Sequence, residues 1–92
     1  MYGGEEERVK LLVKNSFAGI IIDRFGKDVT MIPVDEENFS VNVEVQVSGQ
    51  FFSWVFALGD GVKIMGPEKV VSQVKEEIER LKRQYSDPLQ SD

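Results

Sequence analysis

The ten residues Phe39 to Ser48, FSVNVEVQVS, alternate without a fault. Val41, Val43, Val45 and Val47 fall on one side, and Asn42, Glu44 and Gln46 on the other. A period of two with β-branched residues at every second position predicts a strand with one buried and one polar face. Residues 8–14, RVKLLVK, carry the same signal more briefly, with Val9, Leu11 and Val13 on one side and Lys10, Leu12 and Lys14 on the other. A third strand is expected in DVTMIPV, where Pro33 removes a ladder donor and so belongs at a sheet edge. DEEN then reads as a turn.

Between the first two of these strands in chain order lies NSFAGIIIDRFG. Phe17, Ile21 and Phe25 recur every four residues with Ile20 beside them, Asn15 or Ser16 is suited to cap a helix, and Gly26 to end it. Gly19 opposes the helix by about 1 kcal/mol relative to Ala, yet the spacing and the two ends agree. A second helix is expected over Gln50 to Leu58, where Phe51, Trp54, Val55 and Leu58 stand at i, i+3, i+4 and i+7. Gly59 or Gly61 stops it, VKIM is a short strand, and Pro67 opens a last helix at the position where its missing N–H costs nothing. In that helix Val71, Val74, Ile78, Leu81 and Tyr85 form one stripe. Glu76–Arg80 and Glu79–Arg83 have the favoured i,i+4 order.

The order β-α-β-β-α-β-α predicts an α+β chain: a ferredoxin-like split β-α-β sandwich with a four-stranded antiparallel sheet and an added C-terminal helix. Right-handed crossovers put strands 1 and 3 in the centre and strands 2 and 4 at the edges, which agrees with Pro33. The 92 residues suit one domain. Residues 1–7 read as a linker or remnant of an adjoining segment, 8–85 as the domain and 86–92 as a flexible tail.

Function classes fall away by composition. Eleven Lys and Arg against sixteen Asp and Glu give a net charge of −5, which argues against holding a phosphate backbone. The chain has no Cys and no His, so disulfides, thiolate metal sites and the commonest general base are missing. No run approaches the roughly 20 apolar residues of a membrane span. Gly59-Asp60-Gly61 lacks the Lys-Ser/Thr and helix of a phosphate loop and reads as a turn. The acidic runs lack the alternating oxygens and glycine of a calcium loop. Asp23 and Arg24 read as surface charge. No catalytic residue, cofactor or metal ligand is therefore expected. Trp54 reads as the anchor of the second helix, and Phe52 and Phe56, on another arc, as facing either the last helix or another subunit. Leu12, Met65 and, depending on register, Ile32 are expected as a small apolar patch on the open sheet face. With no aromatics on its central strands, that face is unlike an RNA-binding sheet.

The second half resembles a known family. Phe51-Phe52, Ser53, Trp54, Val55-Phe56, Ala57, Leu58-Gly59, Asp60-Gly61, VKIM, Pro67 and the amphipathic helix follow the pattern of the C-terminal extension, or WCX, of WYL-domain transcriptional regulators. Ser53 stands where the family often has Arg, which puts an anion contact there in doubt. The resemblance covers about residues 8–85, with Trp54, Leu58, Gly59 and Pro67 as its structural marks. It implies a ferredoxin-like, non-catalytic module of a cytoplasmic bacterial regulator. It also implies homodimerisation, relay of effector state between subunits, and WYL and helix-turn-helix partner domains that would carry DNA contact in its place. The alternative on this fold is a small-molecule-binding sensor, comparable to the amino-acid-binding ACT domains, though KNSF offers no glycine-rich effector loop. An acylphosphatase is disfavoured because the same loop has no Arg.

Overall fold

The computed structural model describes residues 5–86. The elements are β1 (Glu5–Lys14), a 3-10 turn (Asn15–Phe17), α1 (Ala18–Phe25), β2 (Met31–Pro33), β3 (Asn38–Val47), α2 (Gly49–Ala57), a second 3-10 turn (Gly59–Gly61), β4 (Val62–Gly66) and α3 (Glu68–Ser86). The four strands form one sheet in the order β2-β3-β1-β4, every neighbouring pair antiparallel. The expected α+β architecture is present, with β1 and β3 central and Pro33 on an edge strand.

The alternating patterns decide which face is covered. Val9, Leu11 and Val13 on β1 and Val41, Val43 and Val47 on β3 are buried, together with Val62 and Ile64 of β4. The helices bring Ile21, Phe51, Phe52, Val55 and Val70 onto them, and these residues form one core cluster. Burial of apolar area at about 25 cal/mol per Å² is the main force holding the layers together.

β1 begins at Glu5, inside the stretch expected as a linker. Each residue from Glu5 to Lys14 pairs with β3, from Val47 back to Asn38, so the ten-residue partner sets the length. Arg8 stands opposite Glu44 on that ladder, and Glu7 receives Lys69 of α3 at 2.8 Å. A run of glutamates reads as solvated sequence until a distant cation and a long partner strand are known. Residues 1–4 of the expected linker, and the expected tail beyond Ser86, lie outside the described residues.

α1 differs at its start. No side chain caps it. Asn15 instead donates its backbone N–H to the Glu37 carbonyl at 2.8 Å and its side-chain amide to the Glu36 carbonyl at 3.0 Å. Asn15 thereby ties the end of β1 to the turn between β2 and β3. Gly26 does end the helix, with φ 92°, donating its N–H to the Ile22 carbonyl at 2.8 Å. Of the three consecutive isoleucines only Ile21 is buried. α2 is capped by Ser48, whose hydroxyl accepts the Phe51 N–H at 3.3 Å. α3 starts one residue after Pro67, whose carbonyl accepts the N–H groups of Val70 and Val71.

Candidate interaction site

Three elements meet on one flank of the molecule: α2, the edge strand β4 and α3. Val55 and Phe56 of α2 form one wall, Val62 and Ile64 of β4 the floor, and Val71, Val74 and Ile78 of α3 the other wall. Between them lies an open groove of about 270 Å³. It exists because α3 doubles back along β4 on the helix side of the sheet. Its first turns are docked, with Val70 fully buried and Lys69 pinned to Glu7.

Length then parts the two elements. Five residues of β4 span about 16 Å at ~3.3 Å per residue. Nineteen residues of α3 span about 28 Å at ~1.5 Å per residue. The last part of α3 therefore runs past the strand it packs on. Ile78 is 46% exposed and Tyr85 79%, although both belong to the stripe that packs Val71 and Val74, both partly buried, against the core further back. Phe56 faces the same flank at 37% exposure.

The four candidate interface residues do not share one surface. Phe52 is 1% exposed and packs in the core, so it has no face to offer another subunit. Its neighbour four positions on, Phe56, is open because α3 passes beside α2 and leaves the groove between them. Leu12 is half-buried on the open sheet face. Along its row the register runs Ile32, Ser40, Leu12, Lys63, so a buried serine separates the two apolar residues and a lysine follows. Met65 falls at the irregularity between the pairs Leu11–Ile64 and Lys10–Gly66. An extra residue at such a bulge leaves the regular row, so Met65 has no partner on the β1 ladder. The groove flank, with Ile78 and Tyr85, is a separate exposed apolar surface. The stripe in the sequence contained them; the mismatch between strand and helix length that exposes them was not visible there.

Trp54, Leu58, Gly59 and Pro67 hold structural places. Trp54 stacks on Phe51 at 6.3 Å between centroids and meets Phe25 edge-on at 5.5 Å. The guanidinium of Arg24 lies 5.2 Å from its ring, so this half-buried tryptophan joins α1 to α2. Arg24 is thus more than surface charge, since a cation over an aromatic face is worth about 0.5–1 kcal/mol at an open site. Leu58 and Gly59 turn the chain into β4, with Gly59 at φ 64°. In the DEEN turn the Asp35 carboxylate accepts the backbone N–H groups of Glu37 and Asn38, each at 2.8 Å. Those donors, the Glu37 N–H foremost and the Asn38 side chain next, hold its pKa below the ordinary value. Oδ1 takes both backbone donors, and the Asn38 side-chain amide donates to both carboxylate oxygens. Among the described residues no cluster of acidic side chains could hold a metal ion, and no helix is long and apolar enough to cross a membrane.

Asn15 is committed to the carbonyls of Glu36 and Glu37, and Lys14 to Asp60 at 3.3 Å.

A family model described as the WCX domain matches residues 5–82. The chain belongs to the WCX family. The match begins at Glu5, where β1 begins, and takes in every element through most of α3. No curated protein and no solved structure matches the chain. WCX modules are associated with WYL-type transcriptional regulators, where they form the C-terminal part, and the WCX family is not a known catalytic one.

Proposed function

We propose that this WCX domain is a non-catalytic regulatory module that pairs two subunits of its parent regulator and relays effector state between them. In this reading the WYL and helix-turn-helix domains of a cytoplasmic bacterial regulator carry sensing and DNA contact. The observation that carries the pairing is the α2–α3 flank. A helix stripe that leaves its own sheet with Ile78 and Tyr85 exposed, next to Phe56, asks to be covered. The net charge of −5 supports leaving DNA contact to other domains. The absence of Cys and His from the sequence supports a non-catalytic role.

The test is the oligomeric state of the 92-residue chain, by light scattering and native mass spectrometry over a micromolar concentration series. A dimer is expected, and the Ile78→Glu, Tyr85→Glu double variant should be monomeric with an unchanged circular dichroism spectrum. A wild-type chain that stays monomeric throughout would sink the pairing.

A further inference from the structure

The groove between α2, β4 and α3 has a property that a purely greasy contact surface does not need. The chain is acidic overall, sixteen Asp and Glu against eleven Lys and Arg. Yet no acidic residue lines the groove, and the charged residues that do are both lysines, Lys63 and Lys75. Other cations nearby are spoken for: Lys14 pairs with Asp60 and Lys69 with Glu7. Lys63 and Lys75 have no ion pair or side-chain hydrogen bond among the described residues. Both are exposed, so neither pays for desolvation before a partner arrives.

We propose that this groove binds a small amphipathic organic anion, a single carboxylate on an apolar tail, with the tail between Phe56, Val74 and Ile78 and the carboxylate beside Lys63 and Lys75. Three features fix that class. The walls are valine, isoleucine and phenylalanine, which reward an apolar tail at about 25 cal/mol per Å² buried. The charge at the rim is positive only. The volume of about 270 Å³ is a little below that of usual ligand pockets, which suits one tail of medium length. A long lysine stem lies along apolar wall while its ammonium stays in water, the geometry that an acid with an apolar tail complements. The ligand site does not depend on subunit pairing. Its regulatory consequence does, because Phe56 and Ile78 belong both to the groove and to the flank proposed to meet another subunit.

Three probes with one tail and different heads test this: decanoate, decanol and decyltrimethylammonium, each titrated below its micelle concentration into isotopically labelled chain. Amide shifts in two-dimensional NMR give the affinity. Decanoate should give saturable shifts centred on Phe56, Lys63, Val74 and Lys75, and should bind more tightly than decanol and far more tightly than the cation. Reversing both charges, Lys63→Glu with Lys75→Glu, should weaken decanoate by roughly tenfold or more while leaving decanol unchanged. Val74→Trp should fill the groove and abolish binding of all three; the melting curves of the variants report that they fold. Equal affinity for decanoate and decanol would overturn the anion assignment. Absence of saturable shifts would overturn the site. Shifts at the groove that follow protein concentration and do not respond to decanoate would assign it to a second copy of the chain instead. A failed dimer measurement leaves these titrations readable, and failed titrations leave the dimer measurement readable.

Discussion

Gly61 shows how one missing side chain positions a whole turn. A Cβ built there would lie 2.5 Å from the ring of Phe17, so the second 3-10 turn can rest on the first only while position 61 is bare. Gly61→Ala should destabilise the fold by about 1–3 kcal/mol, the usual cost of overpacking. Shrinking the ring with Phe17→Leu should restore part of the loss, because the two changes share one contact. Urea denaturation of the single and double variants checks this. Asp35 gives a second expectation at this scale. Its carboxylate is stabilised by N–H donors in the folded chain, so its pKa is lower folded than unfolded. Stability from that difference is present above the unfolded value of about 3.9 and is lost as pH falls through the folded value. The melting temperature of the wild type should therefore exceed that of Asp35→Asn at neutral pH. The gap should narrow as pH falls below about 3.9 and close only once pH is below the lowered folded value, where Asp35 is protonated in both states. A gap independent of pH would mean that charge plays no part in the turn.

Among elements, α2 is the most completely determined by local sequence. Ser48 caps it, Phe51 and Val55 bury its stripe, and Leu58 and Gly59 end it. Ser48→Ala should cost about 1 kcal/mol and Ser48→Gly only a few tenths, as for other N-caps. Equal loss from both would move the weight from the cap hydrogen bond to packing. α1 was legible for a different reason. Its spacing and its terminal glycine are clear, but its start is set by the Glu36 and Glu37 carbonyls, some twenty residues ahead of Asn15. A local scan offers Asn15 or Ser16 as a cap because it cannot see that distant pair of acceptors. β1 was read three residues short for the same reason: Glu5, Glu6 and Glu7 carry no strand pattern, and their place comes from pairing with Gln46 and its neighbours. β3 needed no such help, since its alternating valines define both the strand and the buried face. The candidate site was half legible. Phe56 and the α3 stripe stand in the sequence, whereas the burial of Phe52 and the isolation of Leu12 follow from packing and register.

At the scale of the whole molecule, α3 divides into two parts with different duties. Residues near Val70 and Val74 close the core, and Lys69 fixes the helix to β1. Past Ile78 only Leu81 among the described residues is half-buried, and the rest of the helix relies on its own hydrogen bonds and on surface pairs such as Arg80 with Glu77 at 2.7 Å. The hydrogen bond from Arg80 also holds the Glu77 carboxyl below its ordinary pKa. Surface pairs of this kind contribute little, about 0–1 kcal/mol, and an isolated helical segment this short is marginal in water. Amide exchange along α3 should therefore fall into two classes in the dilute chain: slow at residues 70–76 and fast at residues 80–86. Local opening of the distal turns costs far less than global unfolding. If the flank pairs subunits, raising the protein concentration should slow exchange at residues 78–86 and at Phe56, while residues 70–76 stay as they were. The Ile78→Glu, Tyr85→Glu variant should keep the fast distal class at every concentration. Distal amides as slow as the proximal ones in a dilute monomer would mean that α3 needs no partner, and the flank would then lose its claim to one.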